Sequence, residues 1–443
     1  MSTPVIRIGI LGATHAAESI YLPILASLHT HYHLTILHTT SDDVATDSQK
    51  QFGLANTTTV ADEIINHPDV DLVINLLPFD QHEQYTLAAL EAGKHVMVEV
   101  PLSLSIHGLR RIRDARKKGM AARSHRPHNT GPKVFVGCAR RYAPCFTDIF
   151  KKELASLGRV YYARCRNIAG PLTRPAVQKN NDSGIGYTRG ANVGNGTNGS
   201  IARPQRHALL AEIFGSDEDL TCDREAFCRF LGTLGCHDFS LMRESLGFPG
   251  AVSNVSIIEP FYSAMFHYTD DFGTRDGHPF TLVYEAGIDA VPRCDAHLTV
   301  YGAKKTLSVE YDLSCLSEAE KDVAVRVVVE EANVETGDVD VEMLSSGSET
   351  INGSANGDGN GDSAANRNGP LRPRVKRTEF VSTARETFEQ EFLAMHAYLV
   401  GDRGDSQVEA KTTAEDALDD LKLMHMIFEH YDRQCGTIRT PLG

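Results

Sequence analysis

The sequence lacks the features that mark membrane-spanning, disulfide-bonded and nucleic-acid-binding proteins. No stretch approaches the ~18 unbroken apolar residues that a transmembrane helix needs, and Gly12 interrupts the apolar run Pro4–Leu11 before it could serve as a signal peptide. The nine cysteines form no C-x-x-C pair, and their odd number does not suit a disulfide framework. Acidic residues outnumber basic ones by 58 to 44, and the net charge of −14 repels a phosphate backbone. We therefore expect a cytoplasmic protein with no membrane or nucleic-acid partner.

Several catalytic signatures are also missing. There is no G-x-S-x-G elbow, no H-E-x-x-H pair and no Walker-type phosphate loop. His31 and His33 alternate at the start of a predicted strand, but no partner follows at metal-ligand spacing. We expect no bound metal.

The first 140 residues alternate short apolar runs with amphipathic ones. A chain of 443 residues predicts two or three domains. Strand-like runs followed by helical ones predict a doubly covered parallel sheet over residues 1–140, which is an α/β domain. The predicted strands are Val5–Leu11, Leu34–Thr39, Val70–Leu77, His95–Val98 and Val134–Gly137, with helices at 42–52, 81–92 and 105–118 between them.

From Arg140 onward the pattern changes to strand after strand. Residues 141–443 therefore predict an α+β domain with an open, mostly antiparallel sheet, and helices at 235–246, 386–399 and 413–431. Segments near 180–200 and 345–369 are rich in Gly, Asn, Ser and Asp, and we expect them to be mobile loops. The predicted strands are Arg159–Arg164, Val252–Ile258, Phe280–Tyr284, Ala296–Tyr301 and Thr306–Tyr311.

The turn after the first strand resembles a dinucleotide-binding fingerprint, G-x-G-x-x-G/A. Gly12 takes the tight-turn position and Ala17 the close helix–sheet contact, while Thr14 replaces the middle glycine that normally admits the pyrophosphate. A strand before the turn and a helix after it strengthen the prediction. The cofactor-binding residues predicted in this turn are Gly9, Gly12, Ala13, Thr14 and His15.

The end of the second strand bears on the choice of coenzyme. It reads Leu37-His38-Thr39-Thr40-Ser41, with no carboxylate at its tip to grip a ribose 2′-hydroxyl. The hydroxyls of Thr39 and Thr40, with His38, suit a 2′-phosphate better than a carboxylate would, so NADP(H) is slightly favoured over NAD(H). The arginine that usually supports a 2′-phosphate is absent as well.

Five motifs resemble the glucose–fructose oxidoreductase/inositol dehydrogenase (Gfo/Idh/MocA) family. They are Leu77-Pro78-Phe79-Asp80-Gln81-His82, Ala92-Gly93-Lys94-His95-Val96, Glu99-Val100-Pro101, Val136 through Pro144, and Gly235-Cys236-His237-Asp238. The sequence around Arg140-Arg141-Tyr142 and around His237 is similar to that of fungal-type, inositol-dehydrogenase-like members. The resemblance implies an N-terminal Rossmann domain and a C-terminal sheet that forms a homo-oligomer interface. It also implies nicotinamide-dependent oxidation of a sugar, polyol or related alcohol, or the reverse reduction of a ketone.

The resemblance adds further site residues and two departures. It implies cofactor contacts from Pro78, His82, Glu99, Pro101 and Arg140. The lysine that serves the family as proton donor and acceptor is Val100 here, which can neither take nor give a proton. The aspartate that many members carry four residues before the histidine is Thr233.

His237 is the favoured catalytic residue because an imidazole exchanges protons near neutral pH and a helix N-terminus favours its neutral form. The alternative is a histidine that only orients a loop at the domain interface. Tyr142 is the second candidate acid, and Arg140 is a candidate anchor for substrate oxygens. Two functions remain open: an NAD(P)-dependent oxidoreductase with a small-molecule substrate, or a catalytically inactive dinucleotide-binding regulator on the same fold.

Overall fold

The computed structural model describes most of the chain. The described residues are 4–13, 17–39, 42–52, 54, 56–122, 131–169, 204–214, 222–269, 277–289, 291, 295–311, 323–333, 374–401 and 410–438. The segments predicted as mobile loops, near 180–200 and 345–369, lie outside them.

Six parallel strands form the first sheet, in the order β3-β2-β1-β4-β5-β6. β4 and β6 are buried at every residue, as strands covered on both faces must be. This order is the Rossmann arrangement, and it confirms the predicted doubly wound parallel sheet. The strands are β1 (Ile6–Leu11), β2 (Tyr32–His38), β3 (Asn56–Thr58), β4 (Leu72–Asn75), β5 (His95–Glu99) and β6 (Val134–Gly137).

The helices between these strands cover the two faces of the sheet. The strand order reverses at β1 and β4, which leaves a crevice outside their carboxyl ends. The helices are α1 (Leu22–Ser27), α2 (Asp42–Phe52), α3 (Ala61–Ile65), α4 (Phe79–Glu91) and α5 (Ile106–Ala122).

Eight strands form the second sheet, in the order β14-β13-β12-β11-β7-β10-β9-β8. Among the described strands of this sheet, only β7 and β10 pair in parallel, so the predicted mostly antiparallel sheet is confirmed. The strands are β7 (Tyr162–Ala169), β8 (Ala251–Ile258), β9 (Phe261–Tyr268), β10 (Phe280–Ile288), β11 (Ala296–Tyr301), β12 (Lys305–Tyr311), β13 (Val323–Asn333) and β14 (Arg374–Thr383).

In the described part of the chain, six further α-helices follow the first sheet. They are α6 (Lys151–Ser156), α7 (Pro204–Phe214), α8 (Cys222–Phe230), α9 (Cys236–Leu246), α10 (Ala384–Val400) and α11 (Ala414–Ile438). Thr413 precedes the first residue of α11, and its hydroxyl accepts the Asp416 N–H at 3.2 Å, which caps the helix. None of the helices in the described part of the chain combines the length and apolar character that crossing a bilayer requires.

α10 belongs in space to the first sheet although it comes late in the sequence. Phe392, Met395 and Leu399 of α10 share a buried cluster with Tyr21 and Tyr32 of the first domain. Its N-terminus carries a capping box between Thr383 and Glu386. The chain beyond residue 140 therefore supplies part of the N-terminal core, and the carboxyl edge of the first sheet faces α9 and α10.

Candidate functional site

The turn after β1 has the shape that a dinucleotide requires. Gly12 has φ +95°, a conformation that side chains other than glycine rarely adopt. A Cβ placed there would lie 3.1 Å from the Leu76 carbonyl oxygen at the end of β4, so it would fill the crevice between the two strands. The N–H of Ala13 is already bonded to the carbonyl of His38 at 3.1 Å, which fixes the turn. The residues present fit a pyrophosphate lying over Gly12.

Replacing Gly12 by alanine is expected to weaken coenzyme binding by about tenfold or more, because the left-handed conformation costs alanine ~1–2 kcal/mol and the new methyl group enters the crevice. Calorimetric titration with NADPH and NADH measures the effect. Gly158→Ala is the matched control, since Gly158 has φ +72° and nothing lies within 4 Å of the position that a Cβ would take there. Equal affinity losses in the two variants would contradict the role of the Gly12 turn.

The other residues predicted in this turn fall in different places. Gly9 lies within β1, where a Cβ would meet Ile64 at 2.5 Å, so its bare Cα serves helix packing on the sheet. Ala13 lies in the turn itself. Thr14, His15 and Thr40 are outside the described residues.

The end of β2 offers a neutral hydrogen-bonding group. The Nδ1 atom of His38 is buried and has no hydrogen-bond partner in the described structure. Burial lowers the pKa of His38, so the ring is uncharged at neutral pH. Thr39 is buried, and its N–H bonds to the Thr58 carbonyl at 2.9 Å. An unpartnered ring nitrogen at this strand end suits a ribose hydroxyl or phosphate oxygen.

His82 lies between two backbone segments and contacts both of them through its ring nitrogens. Its Nδ1 lies 2.8 Å from the Pro101 carbonyl and its Nε2 lies 2.7 Å from the Leu77 carbonyl. His82 is 3% exposed, and it holds the segment before Pro78 and the segment after Glu99 together. Burial lowers the pKa of His82, and a neutral ring donates to only one of the two carbonyls.

Val100 lies in the hydrophobic core. It is 6% exposed, and its peptide bond to Pro101 is cis. Together with Cys236, Asp420 and Met424 it lines a small cavity between the cis-proline segment, α9 and α11. Val100, the residue after Glu99, therefore serves as an apolar packing residue.

Arg140 is held by a buried network at the domain seam. Its guanidinium lies 3.3 Å from Asp238, and it stacks over the Tyr311 ring at 4.3 Å from the centroid. Asp238 is fully buried; its two oxygens also accept the side-chain amide of Asn167 at 3.0 Å, and Oδ2 accepts the Tyr284 hydroxyl at 3.1 Å. These contacts fix an arginine that remains partly exposed and able to hold an anionic or hydroxyl oxygen.

His237 lies beside Arg140 on the first turn of α9. Its side chain is partly exposed, and its ring makes no hydrogen bond to any described residue. Burial, followed by the positive charge of Arg140 and the ring of His82, lowers the pKa of His237 to about 3. The ring is thus neutral at working pH and able to accept a hydrogen bond from a substrate hydroxyl.

Tyr142 is placed elsewhere. Its hydroxyl pairs with the Thr412 hydroxyl at 2.8 Å, and the side chain is 5% exposed. Burial raises the pKa of the Tyr142 hydroxyl above its ordinary value. The structure brings Arg140 and His237 together but does not bring the Tyr142 hydroxyl to them, and its role as an acid stays a prediction.

Glu99 is the last residue of β5, at the carboxyl edge of the first sheet. Near it lies a second carboxyl group, that of Glu391, which belongs to none of the sequence motifs. Glu391 of α10 is fully buried and accepts the Cys138 N–H at 2.7 Å. A signal for it exists, because Glu391 stands on the apolar helical face formed by Phe388, Phe392 and Met395. Asp238, Asn167 and Tyr284 have no such signal as a group, because their meeting depends on the second sheet.

The described residues contain no group of three His, Cys, Asp or Glu side chains that could hold a metal ion. The polar groups at the carboxyl edge of the first sheet are hydrogen-bonding groups and one guanidinium. All of them lie at or beyond the carboxyl ends of β1, β2, β5 and β6. This arrangement defines a two-domain protein with a dinucleotide-binding Rossmann crevice that opens toward a second, antiparallel domain.

Comparisons with known proteins support this class. Residues 6–123 match the model of the Gfo/Idh/MocA oxidoreductase family with an NAD-binding Rossmann fold. The comparisons thus support the Gfo/Idh/MocA family for the region that carries the first sheet.

Two curated relatives are similar to parts of the chain. An uncharacterized oxidoreductase of Rhizobium meliloti is 27% identical over 186 residues, which are 41% of this chain and 50% of the relative. The scyllo-inositol 2-dehydrogenase (NADP(+)) of Bacillus subtilis is 31% identical over 174 residues, which are 39% of this chain and 44% of the relative. The chain therefore spans about half the length of these relatives or less.

A solved structure covers nearly the whole chain. The oxidoreductase yvaA from Bacillus subtilis has a TM-score of 0.59 and 14% identity, over 97% of this chain and 98% of that one. At this identity the likeness shows the shared two-domain fold alone.

Proposed function

We propose that the protein is an NAD(P)-dependent oxidoreductase that acts on a CH–OH group of a sugar or cyclic polyol, or on the corresponding ketone. The observation that carries the proposal is the placement of the Gly12 turn and the Arg140–His237 pair at one edge of a Rossmann sheet. The inositol-dehydrogenase-like motifs and the scyllo-inositol 2-dehydrogenase relative favour a cyclic polyol within this class.

The chain's own residues would bind, orient and exchange protons. A bound nicotinamide coenzyme supplies the hydride acceptor or donor. Arg140, fixed by Asp238, anchors an oxygen of the substrate. His237 accepts the hydrogen bond of the reacting hydroxyl and thereby aligns it. His82 connects the segments of Leu77 and Pro101 through its two ring nitrogens, and Val100 beside them packs in the core.

NADP(H) is the proposed coenzyme. The tip of β2 carries no carboxylate that would repel a 2′-phosphate, and His38 offers an unpartnered ring nitrogen there. The ring is neutral, so it contributes a hydrogen bond without a charge, and the preference over NAD(H) is correspondingly small.

The proposal is tested by initial-rate spectrophotometry of the purified protein with both coenzymes and a panel of polyols, aldoses and cyclic ketones. Oxidation or reduction of at least one member, following saturation kinetics, is the expected result. Absence of turnover with every coenzyme and substrate pair contradicts an enzymatic function.

The second candidate function is a dinucleotide-binding regulator without activity, which two departures from the family favour. Val100 cannot exchange a proton, and the Thr233 hydroxyl is bonded to the Arg229 carbonyl at 2.8 Å within its own helix. Coenzyme binding without any turnover would favour this second function over the first.

We also propose a homo-oligomer formed through the second sheet. Large apolar side chains remain exposed on its strands, among them Ile258 at 70%, Val381 at 54% and Phe261 at 45%. Light scattering is expected to give at least twice the 48.5 kDa chain mass, and Val381→Glu is expected to shift the distribution toward monomer. A monomeric wild type would contradict this assembly.

A further inference from the structure

Two carboxyl groups flank one peptide unit at the edge of the first sheet. Glu99 ends β5, and its Oε1 lies 2.7 Å from the position that a Cβ on Gly137 would occupy. Glu391 reaches the neighbouring residue from α10 and accepts the Cys138 N–H at 2.7 Å. The two carboxyl groups come from distant parts of the chain and meet adjacent residues. Ionising both of them in one small buried volume costs electrostatic free energy, because like charges repel.

The surroundings of Glu391 favour its protonated form. The side chain is 0% exposed, and its Oε2 is buried without a hydrogen-bond partner in the described structure. A carboxylate here would have a single N–H donor to replace its hydration, which is a costly way to bury a charge. A proton on the pair removes that cost.

We propose that Glu99 and Glu391 form a carboxyl pair that holds one proton at neutral pH, and that Glu99 is the proton-carrying group of the reaction, with Glu391 as its positioning residue. This inference rests on the proposed oxidoreductase function. It assigns to the pair the task that Val100 cannot perform.

The charged and titratable groups around the pair come from two further elements, the turn after β6 and strand β2. Arg140, on the turn after β6, faces Glu99, while Tyr142 and Tyr32 face Glu391. Burial raises the pKa of Glu99 to about 7 even though Arg140 lowers it. Burial, and then the charge of Glu99, raise the pKa of Glu391 well above its ordinary value. The pair as a whole therefore keeps at least one proton at pH 7.

Assigning the proton transfer to Glu99 also explains how His237 can serve the reaction. A ring with a pKa of about 3 aligns a hydroxyl but does not retain a proton at neutral pH. In the oxidation, the hydroxyl O–H bond breaks and its proton goes to the Glu99 carboxylate. A bound nicotinamide coenzyme would take up the C–H electron pair as hydride, and the carbon would become the carbonyl. The reduction returns the same proton from Glu99.

Infrared difference titration of the coenzyme-free protein tests the pair directly. We expect the C=O band of protonated Glu99 to disappear with a midpoint of about 7, while the band of Glu391 persists to higher pH. Glu99→Gln removes the charge that raises the pKa of Glu391, so the Glu391 midpoint should fall by about one pH unit or more. Glu99→Gln should also remove the titration near pH 7, and the control Glu389→Gln, on the same helix as Glu391, should leave both midpoints unchanged. A Glu391 midpoint that does not move in Glu99→Gln overturns the pair.

Two additional readouts keep the two proposals separate. Since both carboxyls bind protons more tightly in the folded than in the unfolded chain, wild-type stability in urea should fall as pH rises from 5 to 8, and less steeply in Glu391→Gln. With an active substrate, the lower-pH inflection of kcat/KM for oxidation should coincide with the infrared midpoint of Glu99. An inflection at another pH overturns the proton-carrying role. An intact titration with no turnover contradicts the proposed function, and the proton-carrying role with it, while the pair stands.

Discussion

Replacement of His237 by alanine is expected to lower kcat by about 10²–10⁴-fold and to leave coenzyme affinity within about twofold of wild type. The ring is partly exposed beside Arg140 and has no described hydrogen-bond partner, so it is available to a substrate and not to the fold. Removing a positioned proton-exchanging or hydrogen-bonding group from the reacting oxygen has effects of this size. The measurement is steady-state turnover together with calorimetric titration of the coenzyme.

His33→Ala is the control, because His33 is exposed on β2 away from the cleft and should retain full turnover. The lowered pKa of His237 adds a second check: the ring stays neutral above pH of about 3, so no loss of wild-type activity between pH 5 and 6 should be traceable to its protonation. Full turnover in His237→Ala would mean that the histidine only orients a loop at the interface.

Replacement of Arg141 by alanine is expected to lower the free energy of unfolding by about 3–5 kcal/mol. The guanidinium is 1% exposed and is bonded to Asp416 at 2.5 Å, Glu244 at 2.6 Å and the Lys411 carbonyl at 2.9 Å. Its loss leaves two carboxylates that keep ion pairs with Lys151 and Arg243 among the described residues but lose their most deeply buried partner. Urea denaturation monitored by circular dichroism measures the change.

Arg110→Ala is the matched control, since Arg110 is exposed on α5 and its loss should change stability by no more than about 0.5 kcal/mol. The contrast matters for the site, because Arg141 anchors the turn that points the adjacent Arg140 into the cleft. A change below about 1 kcal/mol in Arg141→Ala would show that the buried network does not hold this turn.

The first domain is largely predictable because its signals are local. The strand predicted at Val134–Gly137 has the bounds that the structure shows, and so does Ala296–Tyr301 in the second domain. Near-continuous apolar runs between helical patterns identify strands buried on both faces without any knowledge of their neighbours.

The second domain is predictable in class but not in full. The sequence patterns do not identify β9, β13 and β14, nor α7 and α8. β14 carries Arg374, Lys376, Arg377 and Glu379, so its apolar positions do not stand out, and its place in the sheet depends on pairing with β13. The pattern of α10 predicts a helix, but nothing local indicates that it packs on the first sheet.

Some residues of the candidate site can likewise be predicted from local motifs, and others cannot. Gly12 and His237 follow from motifs, because each sits where a short pattern implies a strand end or a helix start. The proximity of Glu99 and Glu391 cannot be inferred from either segment, since it depends on how α10 docks beside β6. The coenzyme contact of His82 stays a prediction: the motif implied it, and the fold adds that both ring nitrogens lie beside backbone carbonyls, which the motif could not show.

Calorimetric titration of the wild-type protein with NADPH and NADH tests the central claim most directly. Saturable one-to-one binding of at least one coenzyme, tighter for NADPH and weakened in Gly12→Ala but not in Gly158→Ala, is the result expected if the diphosphate lies on the turn at Gly12. Absence of heat and of any competition by either coenzyme at millimolar concentration would contradict the account and leave only the two-domain fold.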